Sequence, residues 1–272
     1  MRILYPSTVL FRYDYDMEYI VKKIDFMCHT GYDCLHEIGA TVEDIGKMLD
    51  TYDVTHAVLS PMGDGLIHRF GEENRRLSEI CADNDRFSFF CTANPWFGSD
   101  AEKELETCFG ELGAKGVAFD TVRQGCYIDA PMIEPLIEIA GKYGKPVYFL
   151  TGTPIYGLPL SLANLALKYP EITFIMGSMG ASDYWGDVIP SMRMAKNILI
   201  ETSLNSNVPA VFPGFVAEFG FDRILFGTNY PYGNYRLETE KFTPCGFTDE
   251  QYERIFYLNA AKLLGLEVND AD

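Results

Sequence analysis

Histidine is the scarce residue: the 272-residue chain holds four, His29, His36, His56 and His68. No imidazole follows position 68, so a site built from the later part of the chain must find its bases and ligands elsewhere. Cationic side chains are also few, 22 Lys and Arg against 39 Asp and Glu, a formal charge of -17. Nucleic-acid binding is excluded on that ground, because displacing phosphate counterions needs clustered cations. There is no apolar run of the roughly 18 residues that a membrane helix needs. The opening stretch MRILYPSTVLFRYDYD lacks an uninterrupted apolar core of the secretory kind, so a cytoplasmic protein is expected. Seven cysteines, odd in number and without close pair spacing, do not read as a disulfide framework.

What is present is a large apolar supply, 47% hydrophobic residues, enough for a substantial core. Short β-branched runs alternate with segments of helical period, the pattern of repeated βα units around a parallel sheet. Eight strands are predicted: Arg2 to Leu4, His56 to Leu59, Phe87 to Cys91, Gly116 to Phe119, Pro146 to Leu150, Thr173 to Met176, Ile198 to Glu201 and Ile224 to Phe226. Helices are expected between them, beginning with Glu18 to Met27 and Val42 to Asp50, and a terminal helix follows Thr248. Thr41 with Glu43 and Asp44 reads as an N-terminal cap with acidic first-turn residues. The pattern predicts one (β/α)8 TIM-barrel domain over residues 1–272, with a long first loop from about Phe11 to Ala40 above the C-terminal face.

Several predicted strand ends carry motifs. Arg223-Ile-Leu-Phe-Gly-Thr-Asn-Tyr-Pro231 follows the eighth strand, Gly177-Ser-Met-Gly180 the sixth, Glu201-Thr-Ser203 the seventh, and Asn259-Ala-Ala-Lys-Leu-Leu264 lies in the last helix. In this order they resemble the amidohydrolase-related family, whose members are metal-dependent hydrolases and non-oxidative decarboxylases. The resemblance implies a metal site from a first-strand D-x-H-x-H, histidines on strands five and six, and a strand-eight aspartate. Fitted at the N-terminus, that frame meets Tyr5, Ser7 and Val9, and the later positions hold Leu150, Ser178 and Asn229. All six signature positions then differ, and neither a metal nor another cofactor is expected.

Other chemistry-bearing residues keep two readings each. Asp120 and Glu201 end strands four and seven, and Asp183 follows strand six. They are general acid–base candidates, or carboxylates that cap backbone amides. His68 is either a proton-transfer group or an exposed loop histidine. Arg69 and Arg123 are carboxylate clamps or ion-pair partners. Cys28, His29, Cys34 and His36 have zinc-type elements without zinc-type intervals, and the other reading places His29 and His36 at the pocket entrance in the long first loop. Cys91 is a pocket thiol or a core residue. Thr151, Trp185 and Tyr230, with Ser7, Val9, Leu150, Ser178 and Asn229, describe a pocket for an aromatic or apolar small molecule, or packing at the barrel rim. The expectation is therefore a metal-independent hydrolase or lyase of a small aromatic or carboxylated metabolite. The alternative is a non-catalytic ligand-binding subunit, as a homodimer or beside an active homologue.

Overall fold

The computed structural model describes residues 21–206 and 208–267. Nine strands form one sheet in the order β2-β1-β3-β4-β5-β6-β7-β8-β9. They are β1 (Ile24–Asp33), β2 (Ile38–Ala40), β3 (His56–Pro61), β4 (Phe87–Cys91), β5 (Gly116–Phe119), β6 (Val147–Leu150), β7 (Phe174–Gly177), β8 (Ile198–Glu201) and β9 (Ile224–Leu225). All but β2 run parallel; β2 returns antiparallel along the end of β1. The eight parallel strands curl until β9 meets β1. There the Phe26 N–H donates to the Phe226 carbonyl at 2.9 Å and the His29 N–H to the Tyr230 carbonyl at 2.7 Å. This is the TIM barrel expected from the βα alternation.

The strands bury both faces, as parallel strands covered by helices must. Val58, Phe90, Ala118, Tyr148 and Ile175 fill the barrel, while their neighbours Leu59, Phe89, Val117, Phe149 and Met176 pack outward. Helices Val42–Thr51, Phe70–Asp83, Ser99–Gly110, Glu134–Lys142 and Pro159–Lys168 supply the outer layer through residues such as Ile45, Leu77, Leu105, Leu136 and Leu162. The Thr41 cap forms a full capping box: its hydroxyl accepts from the Asp44 N–H, and the Asp44 carboxylate accepts from the Thr41 N–H.

The expected first strand, Arg2 to Leu4, lies outside the described residues, as do Tyr5, Ser7 and Val9. The first barrel strand among the described residues is β1, in a region where a helix from Glu18 to Met27 and a long loop were expected. The cause is physical. Met17, Ile20, Ile24 and Met27 fall at helical intervals, and a strand buried on both faces loses the period-two alternation that would have marked it. A register shift between Asp25 and Cys28 blurs the pattern further.

Candidate active site

At the C-terminal ends of the strands lies a cavity of about 220 Å³. The barrel strands supply His29 from β1, Ser60 from β3, Ala118 and Phe119 from β5, and Tyr148 and Leu150 from β6. The loops add Leu66, Asp120, Arg123, Leu204, Asn229 and Tyr232, and the β1–β2 hairpin adds His36. Its open wall is mainly apolar, because most of the polar groups face one another.

Arg123 is the hub. It follows the β5 end in the short helix Thr121–Gln124, whose N-cap Asp120 accepts from the Arg123 N–H at 3.2 Å. The guanidinium Nε lies 3.0 Å from Asp120 Oδ2, while Nη1 and Nη2 grip both oxygens of Asp33 at 3.2 and 2.5 Å. Asp33 also accepts from the Tyr232 hydroxyl at 2.8 Å and lies 2.7 Å from His36 Nδ1. Burial alone would raise the Asp33 pKa, but Arg123, His36 and Tyr232 together hold it well below the usual carboxylate range. Asp120 moves the other way: burial raises its pKa against the opposing pull of Arg123.

His29 lies between two oxygens, with Nδ1 3.2 Å from the Pro61 carbonyl and Nε2 2.5 Å from the Asn229 side chain. Burial lowers its pKa, favouring the neutral ring, which carries one N–H. Both partners are acceptor oxygens, so a neutral ring donates its one N–H to either the Pro61 carbonyl or the Asn229 side-chain oxygen.

The candidate residues divide by position. Asp120, Arg123, Leu150 and Asn229 meet at the cavity. Glu201 lies behind the wall, where its carboxylate accepts from Tyr148 Oη at 3.1 Å, the Ser178 N–H at 3.0 Å, the Ser203 N–H at 2.6 Å and Ser203 Oγ at 2.9 Å. Thr151 joins the Gly177 carbonyl and the Gly180 N–H, and Ser178 Oγ faces Ser203 Oγ. His68 is exposed at the end of the helix Asp64–Ile67, away from the cavity, and Arg69 beside it pairs with Glu72. Trp185 and Asp183 are exposed, and Tyr230 is half-buried at the barrel seam. Cys91 is buried with its thiol on the Gly116 carbonyl. Tyr232 is one of the aromatics expected at the barrel mouth, whereas Asp33, Ser60 and Leu204 were not singled out as site residues; the signal available for Ser60 was its position just after the strand predicted at His56 to Leu59.

The location of β1 corrects the signature count. The D-x-H-x-H frame fits Asp25, Met27 and His29, so the acid and one histidine of the first strand are present. The geometry still does not fit a divalent metal. Asp25 turns to Thr228, accepting its N–H at 3.0 Å and its hydroxyl at 2.5 Å. Met27 is buried among the barrel-filling residues, and Leu150 has no donor. Ser178 faces Ser203, and His29 is held by Pro61 and Asn229. Cys28 is buried in the layer outside the barrel and Cys34 is exposed, so the early Cys/His group does not converge either. Among the described residues no three His, Cys, Asp or Glu side chains are arranged to hold a cation.

A family profile described as Amidohydrolase matches residues 30–266. The gamma-resorcylate decarboxylase of Rhodococcus jostii (strain RHA1) is 22% identical, covering 89% of this chain and 93% of its own. That of Rhizobium sp. (strain MTP-10005) is 23% identical over 71% of this chain and 75% of its own. Among solved structures, 5-carboxyvanillate decarboxylase from Sphingomonas paucimobilis superposes with a TM-score of 0.73 at 14% identity, covering 91% of this chain and 100% of that one. A 2,6-dihydroxybenzoate decarboxylase bound to 2,6-dihydroxybenzoate gives 0.72 at 19%, covering 90% and 99%. A 5-carboxyvanillate decarboxylase from Novosphingobium aromaticivorans, complexed with manganese and a nitrobenzoic acid, gives 0.73 at 18%, covering 92% and 97%.

Proposed function

The chain belongs to the amidohydrolase family, and within it we propose that this protein is an aromatic-acid lyase that removes the carboxyl group of a hydroxylated benzoate without a divalent metal. The observation that carries the reading is Asp120, a buried carboxyl at an apolar cavity whose pKa burial raises. A carboxyl whose protonated form burial favours, at an apolar cavity, is suited to act as a general acid. The reaction balances on that group alone. The Asp120 proton passes to the ring carbon bearing the carboxylate, the bond to the carboxyl carbon breaks, and its electron pair restores the aromatic ring as CO2 leaves. Water then returns a proton to Asp120. Leu66, Leu150 and Leu204 keep the ring out of water, and Arg123 holds Asp120 in place. The relatives' action on aromatic acids supports the substrate class, and the donor chemistry around His29 and Asn229 supports independence from metal.

A second reading, a ligand-binding subunit without turnover, draws on the saturation of Arg123 by two carboxylates. Incubation with 2,6-dihydroxybenzoate and detection of CO2 separates the two. The proposal expects turnover that Asp120→Asn lowers roughly 10²- to 10⁴-fold in kcat with a small effect on KM. It also expects activity to persist above the usual carboxylic-acid range and to fall as rising pH removes the Asp120 proton. Turnover unaffected by Asp120→Asn would reject Asp120 as the acid, and no turnover on any hydroxybenzoate favours the binding subunit.

A further inference from the structure

We propose that Ser60 is a specificity-determining residue of this cavity, its hydroxyl recognising a ring hydroxyl of the bound aromatic acid; the inference rests on the aromatic-acid reading above. Ser60 is fully buried, lines the cavity, and its Oγ has no hydrogen-bond partner among the described residues. The polar groups around it are engaged: Arg123 with Asp33 and Asp120, His29 with Pro61 and Asn229, and the Tyr148 hydroxyl with Glu201. Other buried hydroxyls without a partner, on Thr153, Ser191, Thr202 and Tyr235, do not line the cavity. Ser60 is thus the one unpartnered buried hydroxyl at this site among the described residues.

Its placement follows from strand register. Ser60 on β3 stands directly beside His29 on β1, and His29 lines the same cavity. The following residue, Pro61, gives its carbonyl to His29 Nδ1, which fixes that level of the wall. An unpaired buried hydroxyl is unfavourable, and a partner brought by the ligand relieves it. The partner's chemistry is set by the surroundings. Ser60 is neutral and can donate or accept, the same cavity is lined by Leu66 and Ala118, and the Arg123 guanidinium is already bonded to Asp33 and Asp120. A phenolic hydroxyl suits that position; a second anionic group does not.

The test compares wild type and Ser60→Ala by calorimetric titration with 2,6-dihydroxybenzoate and with benzoate, and by thermal unfolding without ligand. Wild type is expected to prefer the dihydroxy acid. Ser60→Ala is expected to weaken that acid roughly 3- to 10-fold, the net worth of a neutral hydrogen bond, and to leave benzoate unchanged. Its melting temperature without ligand is expected to stay the same or rise, because no internal bond is lost. Equal losses for both acids, no loss for either, or a lowered melting temperature would overturn the role of Ser60 alone. If wild type binds neither acid, the aromatic-acid reading fails first and takes this inference with it.

Discussion

Arg123 spends its charge on two carboxyls, that of Asp33 in the first hairpin, 90 residues away, and that of Asp120 in its own turn, three residues away. The Asp33 side chain is 1% exposed and that of Arg123 14%, so removing the guanidinium strips two buried carboxyls of their shared ion-pair partner, Asp33 keeping its bonds to Tyr232 and His36. Arg123→Met is expected to cost about 3–5 kcal/mol, the usual penalty for breaking a buried pair from one side. Denaturant unfolding would measure it, and a loss below about 1 kcal/mol would mean that the pair is solvated. Glu201 illustrates the other use of a buried carboxylate. Four donors hold it, and a Cβ on Gly227 would sit 2.4 Å from its Oε1. Glycine after β9 is therefore a packing requirement, and Gly227→Ala is expected to lower stability by about 1–3 kcal/mol, readable in a thermal melt.

At the scale of elements, the seam between β1 and β9 is held by Asp25 and Thr228 as well as by backbone bonds. Burial pushes the Asp25 carboxyl up to about 6, partly offset by the hydrogen bonds from Thr228. Its pKa in the folded chain is higher than in the unfolded one, so folding favours the protonated form. Stability from this group is fully present below about pH 4 and is lost as pH rises through about 6. The shift corresponds to about 3 kcal/mol at most. Unfolding free energies of wild type and Asp25→Asn across pH 4 to 7 would reveal it: the wild type is expected to lose stability relative to the variant as pH rises. A constant difference between the two would refute the account of the seam.

For the whole molecule, the distinguishing property is a barrel of the amidohydrolase family in which, among the described residues, no three His, Cys, Asp or Glu side chains are arranged to hold a cation. Purified protein dialysed against a chelator is expected to keep its melting temperature and its turnover of 2,6-dihydroxybenzoate, and elemental analysis to find no stoichiometric zinc or manganese. Activity lost to the chelator and restored by manganese would reject metal independence. Among the described residues no helix is long and apolar enough to cross a membrane.

Much of this architecture was already legible in the chain. Seven strands from β3 to β9 fall within a residue or two of their predicted positions, because each is a short apolar run between recognisable breaks. The Thr41 cap is a local hydrogen-bond pattern and formed as read, and Thr248, which precedes the expected terminal helix, forms a capping box of the same kind. The shortage of imidazole after position 68 is a count that no fold can change. Tertiary structure alone decided which segment became the first barrel strand, since burial of both faces erased the alternation of β1. It also decided the membership of the site. Asp33 reaches Arg123 across 90 positions and His29 reaches Asn229 across 200, and only closure of the barrel brings such pairs within hydrogen-bond distance. The same closure turned Glu201 behind the wall and left His68 in solvent: residue type and strand end were readable in advance, but the direction of a side chain is set by how neighbouring strands pack.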